Sequence, residues 1–147
     1  MSKGAAAPTS TPDFDVSSLE TSASFVKGAG LVLDEIGESE VAGHIDLDSG
    51  HHTLWGIVHG GVYSTAVESA ASIGASAAVR TQGKMAVGLT NTTQFLRSLT
   101  DGRVDVNAVA LYQGRTHQLW RVDITDDSGR LVAHGEVRLQ NIAAKSK

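Results

Sequence analysis

The sequence predicts an α+β domain in which one long, buried helix is wrapped by a curved antiparallel sheet. Three observations predict it. Residues 62–79 carry a single charged side chain, Glu68, in a run of small and apolar residues. Segments that alternate apolar and polar residues lie on both sides of that run, the pattern of half-buried strands. The later segments are separated by Asp101-Gly102, Gln113-Gly114 and Asp126-Asp127-Ser128-Gly129, turn chemistry that joins antiparallel neighbours.

The elements follow in order. Residues 1–22 are rich in Ser, Thr, Ala and Pro, and are expected to form a flexible arm. A single domain is expected over residues 23–142, with a flexible tail at 143–147. Residues 25–34 and 40–48 read as two strands. In the second, Val41, Ile45 and Leu47 fall on odd positions. Residues 49–59 read as a loop, and the helix runs from Gly60 to about Val79. Arg80 and Lys84 suit its C-terminal end, and Gly83 suits the stop. Strands are then expected at 86–98, 103–112, 116–125 and 130–140. Val104, Val106, Ala108, Ala110 and Tyr112 share one face, as do Gln118, Trp120, Val122 and Ile124. One helix covers one face of such a sheet. A second chain is expected to cover the other, making the protein at least a dimer.

Bulk properties exclude several classes. The chain has 147 residues, enough for one core. A net charge of −4 and scattered basic residues give no footprint for nucleic acid. With no cysteine, disulfides and thiolate zinc sites are excluded, no metal site is expected, and a cytoplasmic setting fits. No apolar run approaches the roughly 20 residues that span a bilayer. No apolar segment follows Lys3, so no secretory signal is expected.

Chemistry concentrates at the helix. A lone carboxylate in a buried helix is costly unless something uses or satisfies it. Ser64, Glu68, Ser72 and Ser76 recur every four residues and form one stripe. His59-Gly60-Gly61 opens the helix. N–H groups at a helix start lack internal partners and carry partial positive charge. They form a candidate oxyanion hole for a carbonyl turning tetrahedral. Eight helical residues span about 12 Å, so Gly60 and Glu68 of one chain do not flank one carbonyl. Two helices packed antiparallel about a two-fold axis bring Gly60 of one chain beside Glu68 of the other.

Trp55-Gly56-Ile57-Val58-His59-Gly60-Gly61-Val62-Tyr63, followed by Glu68, resembles the motif of hotdog-fold acyl-CoA thioesterases. It is closest to the 4-hydroxybenzoyl-CoA thioesterase branch that carries a helix glutamate. The similarity runs from about Phe25 to Asn141. It implies a hotdog fold, a homotetramer built as a dimer of dimers, and hydrolysis of an aryl- or medium-chain acyl-CoA without a cofactor. It implies Glu68 as catalytic carboxylate, Gly60 as N–H donor to the thioester oxygen, and Ser72 as a hydroxyl placing the nucleophile. Gly61 and His59 belong to the substrate-binding turn. Arg97, Arg115 and Thr116 stand where the family contacts the nucleotide end of CoA. Thr53 departs from the Asn or Gln common at its position.

The histidines His51 and His52 are expected to be solvated, and His59 to organise the turn. Tyr63 and Trp55 are expected in the core more than in an aryl pocket. Two other functions are kept. A hotdog hydratase or dehydratase needs a histidine in a Pro-rich loop, and no proline follows Pro12. A non-catalytic acyl-CoA binding domain would need no helix glutamate.

Overall fold

The computed structural model describes residues 24–145, so the expected arm at 1–22 lies outside the described residues. The chain forms a short helix α1 (Ser24–Ala29), strands β1 (Val32–Ile36) and β2 (Glu40–Leu47), and a 20-residue helix α2 (Gly60–Val79). Strands β3 (Lys84–Phe95), β4 (Gly102–Gln113), β5 (His117–Asp126) and β6 (Leu131–Ala143) follow. All six strands make one antiparallel sheet in the order β1-β2-β4-β5-β6-β3.

The sheet curls round α2 because its inward residues are apolar. Val104, Val106 and Ala108 of β4, and Trp120, Val122 and Ile124 of β5, are buried against Ala66, Val67, Ala70, Ala71 and Ala75 of the helix. Gly83 ends the α2 region in a left-handed conformation, with φ of 69°, as its position after Arg80 predicts.

Three expectations need correcting. Residues 25–29 are helical, not strand; only Val26 of α1 packs against the core, so apolar content alone misled the reading. Tyr112 leaves the face of Val104 because a bulge between Ala110 and Tyr112 shifts the register of β4. The outer face of the sheet needs no apolar cover. It carries cross-strand pairs such as His134–Asp123 at 2.6 Å, His44–Asp34 at 2.7 Å and Arg103–Asp46 at 2.8 Å.

The β5–β6 turn supplies a pH prediction. The buried Asp126 carboxylate accepts the Arg130 N–H at 2.9 Å, the Arg130 Nε–H at 2.9 Å and the Ser128 N–H at 3.0 Å. The Arg130 backbone N–H foremost, then its guanidinium and the Ser128 N–H, hold Asp126 below the usual carboxylate range. A depressed folded pKa adds stability that is complete above the unfolded value, about 3.9. It is lost as pH falls below about 4 and through the folded value. The melting temperature of Asp126→Asn should therefore fall less steeply below about pH 4 than that of wild type. Equal acid slopes would refute this role.

Candidate active site

The approach to α2 is fixed by hydrogen bonds. His51, expected to be solvated, is buried. Its Nδ1 accepts the Asp48 N–H at 3.1 Å and its Nε2–H donates to Ala29 O at 3.0 Å. His52 Nε2–H donates to Thr100 O at 2.6 Å. Burial corrects the expectation for His51; His52 is half-buried and ties its loop to Thr100. Thr53 closes the next turn: its N–H donates to Ile57 O at 2.7 Å, and its Oγ1 accepts the Trp55 N–H at 3.2 Å. This turn thrusts Leu54 and Trp55 outward, 98% and 83% exposed. Trp55 is thus not a core residue in the single chain.

His59 caps the helix, its Nδ1 accepting the Gly61 N–H at 2.8 Å. That bond consumes the Gly61 N–H. The Gly60 N–H, first in the helix, has no intrahelical acceptor, and no other partner takes it among the described residues. Phe95, at the end of β3, lies across Gly60, its ring 2.7 Å from where a Cβ would stand. Glycine is needed there for close packing as well as for access. Phe95 also tilts against Tyr63, with ring centroids 6.3 Å apart. Tyr63 is buried, burial pushes its phenol pKa up, and its hydroxyl has no partner among the described residues. The opening of α2 is therefore an apolar collar around one unspent N–H.

The serine stripe faces β3. Ser76 Oγ accepts the Ala86 N–H at 3.0 Å, and Asn91 Nδ2–H donates to Ser64 O at 3.0 Å. Ser72 lies half-buried between Glu68 and Ser76 on the same stripe. Glu68 lies over Gly88, with its Oε1 only 2.7 Å from where a Gly88 Cβ would stand. An interior strand glycine often marks such a close approach, a signal present in the sequence but not used. Glu68 is exposed, contrary to the expectation of a buried carboxylate. The reason is topological: β3 is the last strand of the sheet, so the stripe opens onto an uncovered edge.

The three residues matched to CoA binding are not brought together. Arg97 follows Phe95 at the Gly60 end of β3. Arg115 and Thr116 occupy the β4–β5 turn. That turn is tied to Asn141, which pairs with Ala86 at the other end of β3. Phe95 lies nine positions along the chain from Ala86, about 30 Å of rise.

A helix enclosed by a six-stranded antiparallel sheet, with an unspent helix-start N–H and a carboxylate on the helix, defines the hotdog class of thioester hydrolases. Comparison with known proteins agrees. The Thioesterase superfamily matches residues 56–133. The chain is 41% identical over 129 residues to Rv1847 of Mycobacterium tuberculosis strain H37Rv, a protein carrying an esterase name, covering 86% of this chain and 92% of that one. It is 31% identical over 99 residues to the 1,4-dihydroxy-2-naphthoyl-CoA hydrolase of Escherichia coli K12, covering 67% and 72%. The solved structure of the M. tuberculosis esterase is similar with a TM-score of 0.80 and 42% identity, covering 84% of this chain and 99% of that one. Thioesterase HI1161 of Haemophilus influenzae gives a TM-score of 0.79 and 26% identity, covering 88% and 92%. The chain belongs to the Thioesterase superfamily and is a thioester hydrolase.

Proposed function

We propose that the protein hydrolyses an aryl- or medium-chain acyl-CoA to free acid and CoA, in the cytoplasm and without a cofactor. The observation that carries this is Glu68 standing over Gly88 at the open edge of the sheet. Similarity to the 1,4-dihydroxy-2-naphthoyl-CoA hydrolase supports the aryl arm.

The working site is composite. Between Met85 and Phe95 the edge strand carries no charged residue, and a long uncharged edge is a template for another strand. A second copy of this chain is the proposed occupant. Antiparallel pairing of two β3 strands centred between Asn91 and Thr92 sets Phe95 of one copy against Gly88 of the other. Gly60, packed under Phe95, then meets Glu68, packed over Gly88. Two such dimers make the proposed tetramer.

In this arrangement the carbonyl oxygen accepts the Gly60 N–H at the positive end of α2. Glu68 either attacks the carbonyl carbon, forming a mixed anhydride that water then cleaves, or takes a proton from an attacking water. Either way the C–S bond breaks and CoA leaves as the thiolate, which is then protonated. Thiol release should be measured across aryl-CoA and aliphatic acyl-CoA esters, with crotonyl-CoA also followed for hydration. Rapid thiol release with the aryl esters leading is the expected result. Hydration of crotonyl-CoA without thiol release would favour the hydratase reading, and tight binding without turnover a binding domain.

A further inference from the structure

A polar cluster centred on buried Gln118 lies behind the β4–β5 turn, apart from Gly60 and Glu68. Gln118 is fully buried and saturated. Its Nε2 hydrogens go to Ala75 O at 2.9 Å and Asn141 Oδ1 at 2.8 Å. Its Oε1 accepts from Trp120 Nε1 at 2.9 Å and from Gln113 Nε2 at 3.1 Å. Gln118 thereby fixes the orientation of the Asn141 amide, leaving the two Nδ2 hydrogens aimed at the turn. They donate to Gly114 O at 3.1 Å and Arg115 O at 3.2 Å, while the Asn141 backbone N–H donates to Thr116 O at 2.9 Å.

Three successive carbonyls of the turn are thus held by one residue. With residues 114–116 tied by their oxygens, the exposed side chains of Arg115 and Thr116 have a fixed base. Under the β3 pairing described above, the end of β3 that Arg97 follows in one copy lies toward Ala86 of the other. Ala86 pairs with Asn141. Arg97 of one chain therefore approaches the turn that Asn141 holds in its neighbour. Cations about 30 Å apart along one β3 strand converge in the dimer.

We infer that Asn141 is a positioning residue for the nucleotide end of acyl-CoA, setting the turn that presents Arg115 and Thr116 to its phosphates. The inference rests on the acyl-CoA reading and on the composite dimer. Asn141 touches no reacting atom, so it acts on binding and not on the thioester.

Asn141→Asp tests this. It keeps an acceptor for Gln118 and replaces both turn donors by a carboxylate oxygen facing two carbonyls. Kinetics would be measured on the fastest acyl-CoA of the panel and on its N-acetylcysteamine thioester, which lacks the nucleotide. The KM for acyl-CoA is expected to rise about tenfold with kcat within about twofold, the signature of lost uniform binding. Kinetics on the short thioester should stay as in wild type. Should Asn141→Asp not fold, Asn141→Ser keeps one donor and is read the same way, with a smaller rise in KM. An unchanged KM for acyl-CoA overturns the inference, as does an equal loss on both substrates. Arg115→Ala is the companion variant. An unchanged KM there overturns the nucleotide reading and the inference with it. A raised KM there beside an unchanged one in Asn141→Asp overturns the inference alone.

Discussion

Glu68→Ala is expected to lower kcat/KM on acyl-CoA substrates by about 10³-fold, within the range for a lost acid–base group, and to leave the melting temperature unchanged. The combination follows from where Glu68 stands. It is exposed on α2, and its carboxylate makes no hydrogen bond or ion pair among the described residues. Removing it therefore strips nothing from the fold of one chain. Glu68→Gln keeps the shape and removes both basicity and nucleophilicity, so it should lose nearly as much. Gly88→Ala approaches the same residue from the strand. A Cβ there would stand 2.7 Å from Glu68 Oε1, and the flexible carboxylate must move. Displacement by about 1 Å costs up to about 10²-fold in rate, and Gly88→Ala should show a loss of that order with all catalytic groups present. Activity of Glu68→Ala near that of wild type would show that another group activates the nucleophile. A fall in melting temperature parallel to activity would show that Glu68 is structural.

How much of this was legible in the sequence depended on the range of the interactions involved. The β4–β5 and β5–β6 turns were readable because their chemistry is local, in Gln113-Gly114 and in Asp126 to Gly129. The inward faces of β5 and most of β4 were readable because side chains alternate along a strand. The bulge between Ala110 and Tyr112 was not readable, since it exists only in register with β5. The segment Phe25 to Ala29 offered a short apolar run whose period does not separate helix from strand. The exposure of Glu68 was hidden for a topological reason. Its neighbours along the helix are small and apolar, which reads as burial, yet the stripe faces the terminal strand of the sheet. Lack of charge along the helix did not mark the interior of one chain.

Gln118→Ala should be the most destabilising of the substitutions considered, by about 3–5 kcal/mol, the range for broken buried polar networks and large core truncations. The alternation of β5 placed Gln118 inward among Trp120, Val122 and Ile124, where a polar residue has no local justification. Its partners are remote: Ala75 is 43 residues away and Asn141 is 23. Truncation strands several buried groups together. The Trp120 Nε1–H, in a side chain with no exposed surface, loses its only acceptor among the described residues. Ala75 O keeps its helical donor but loses the Gln118 amide, as does the half-buried Asn141 Oδ1, and a cavity opens beside the indole. Buried polar atoms left without partners cost about 1–3 kcal/mol each, and relaxation of the exposed Gln113 recovers part of that. The melting temperature should drop by roughly 10–20 °C at fixed protein concentration. Gln118→Glu separates polarity from shape: it keeps an acceptor for Trp120 but offers no donor to Ala75 O or Asn141. If it matched wild type in stability, the two donated bonds would carry no weight. If Gln118→Leu were as stable as wild type, the network would be dispensable for folding. Its retention would then have to be explained by the turn it holds through Asn141.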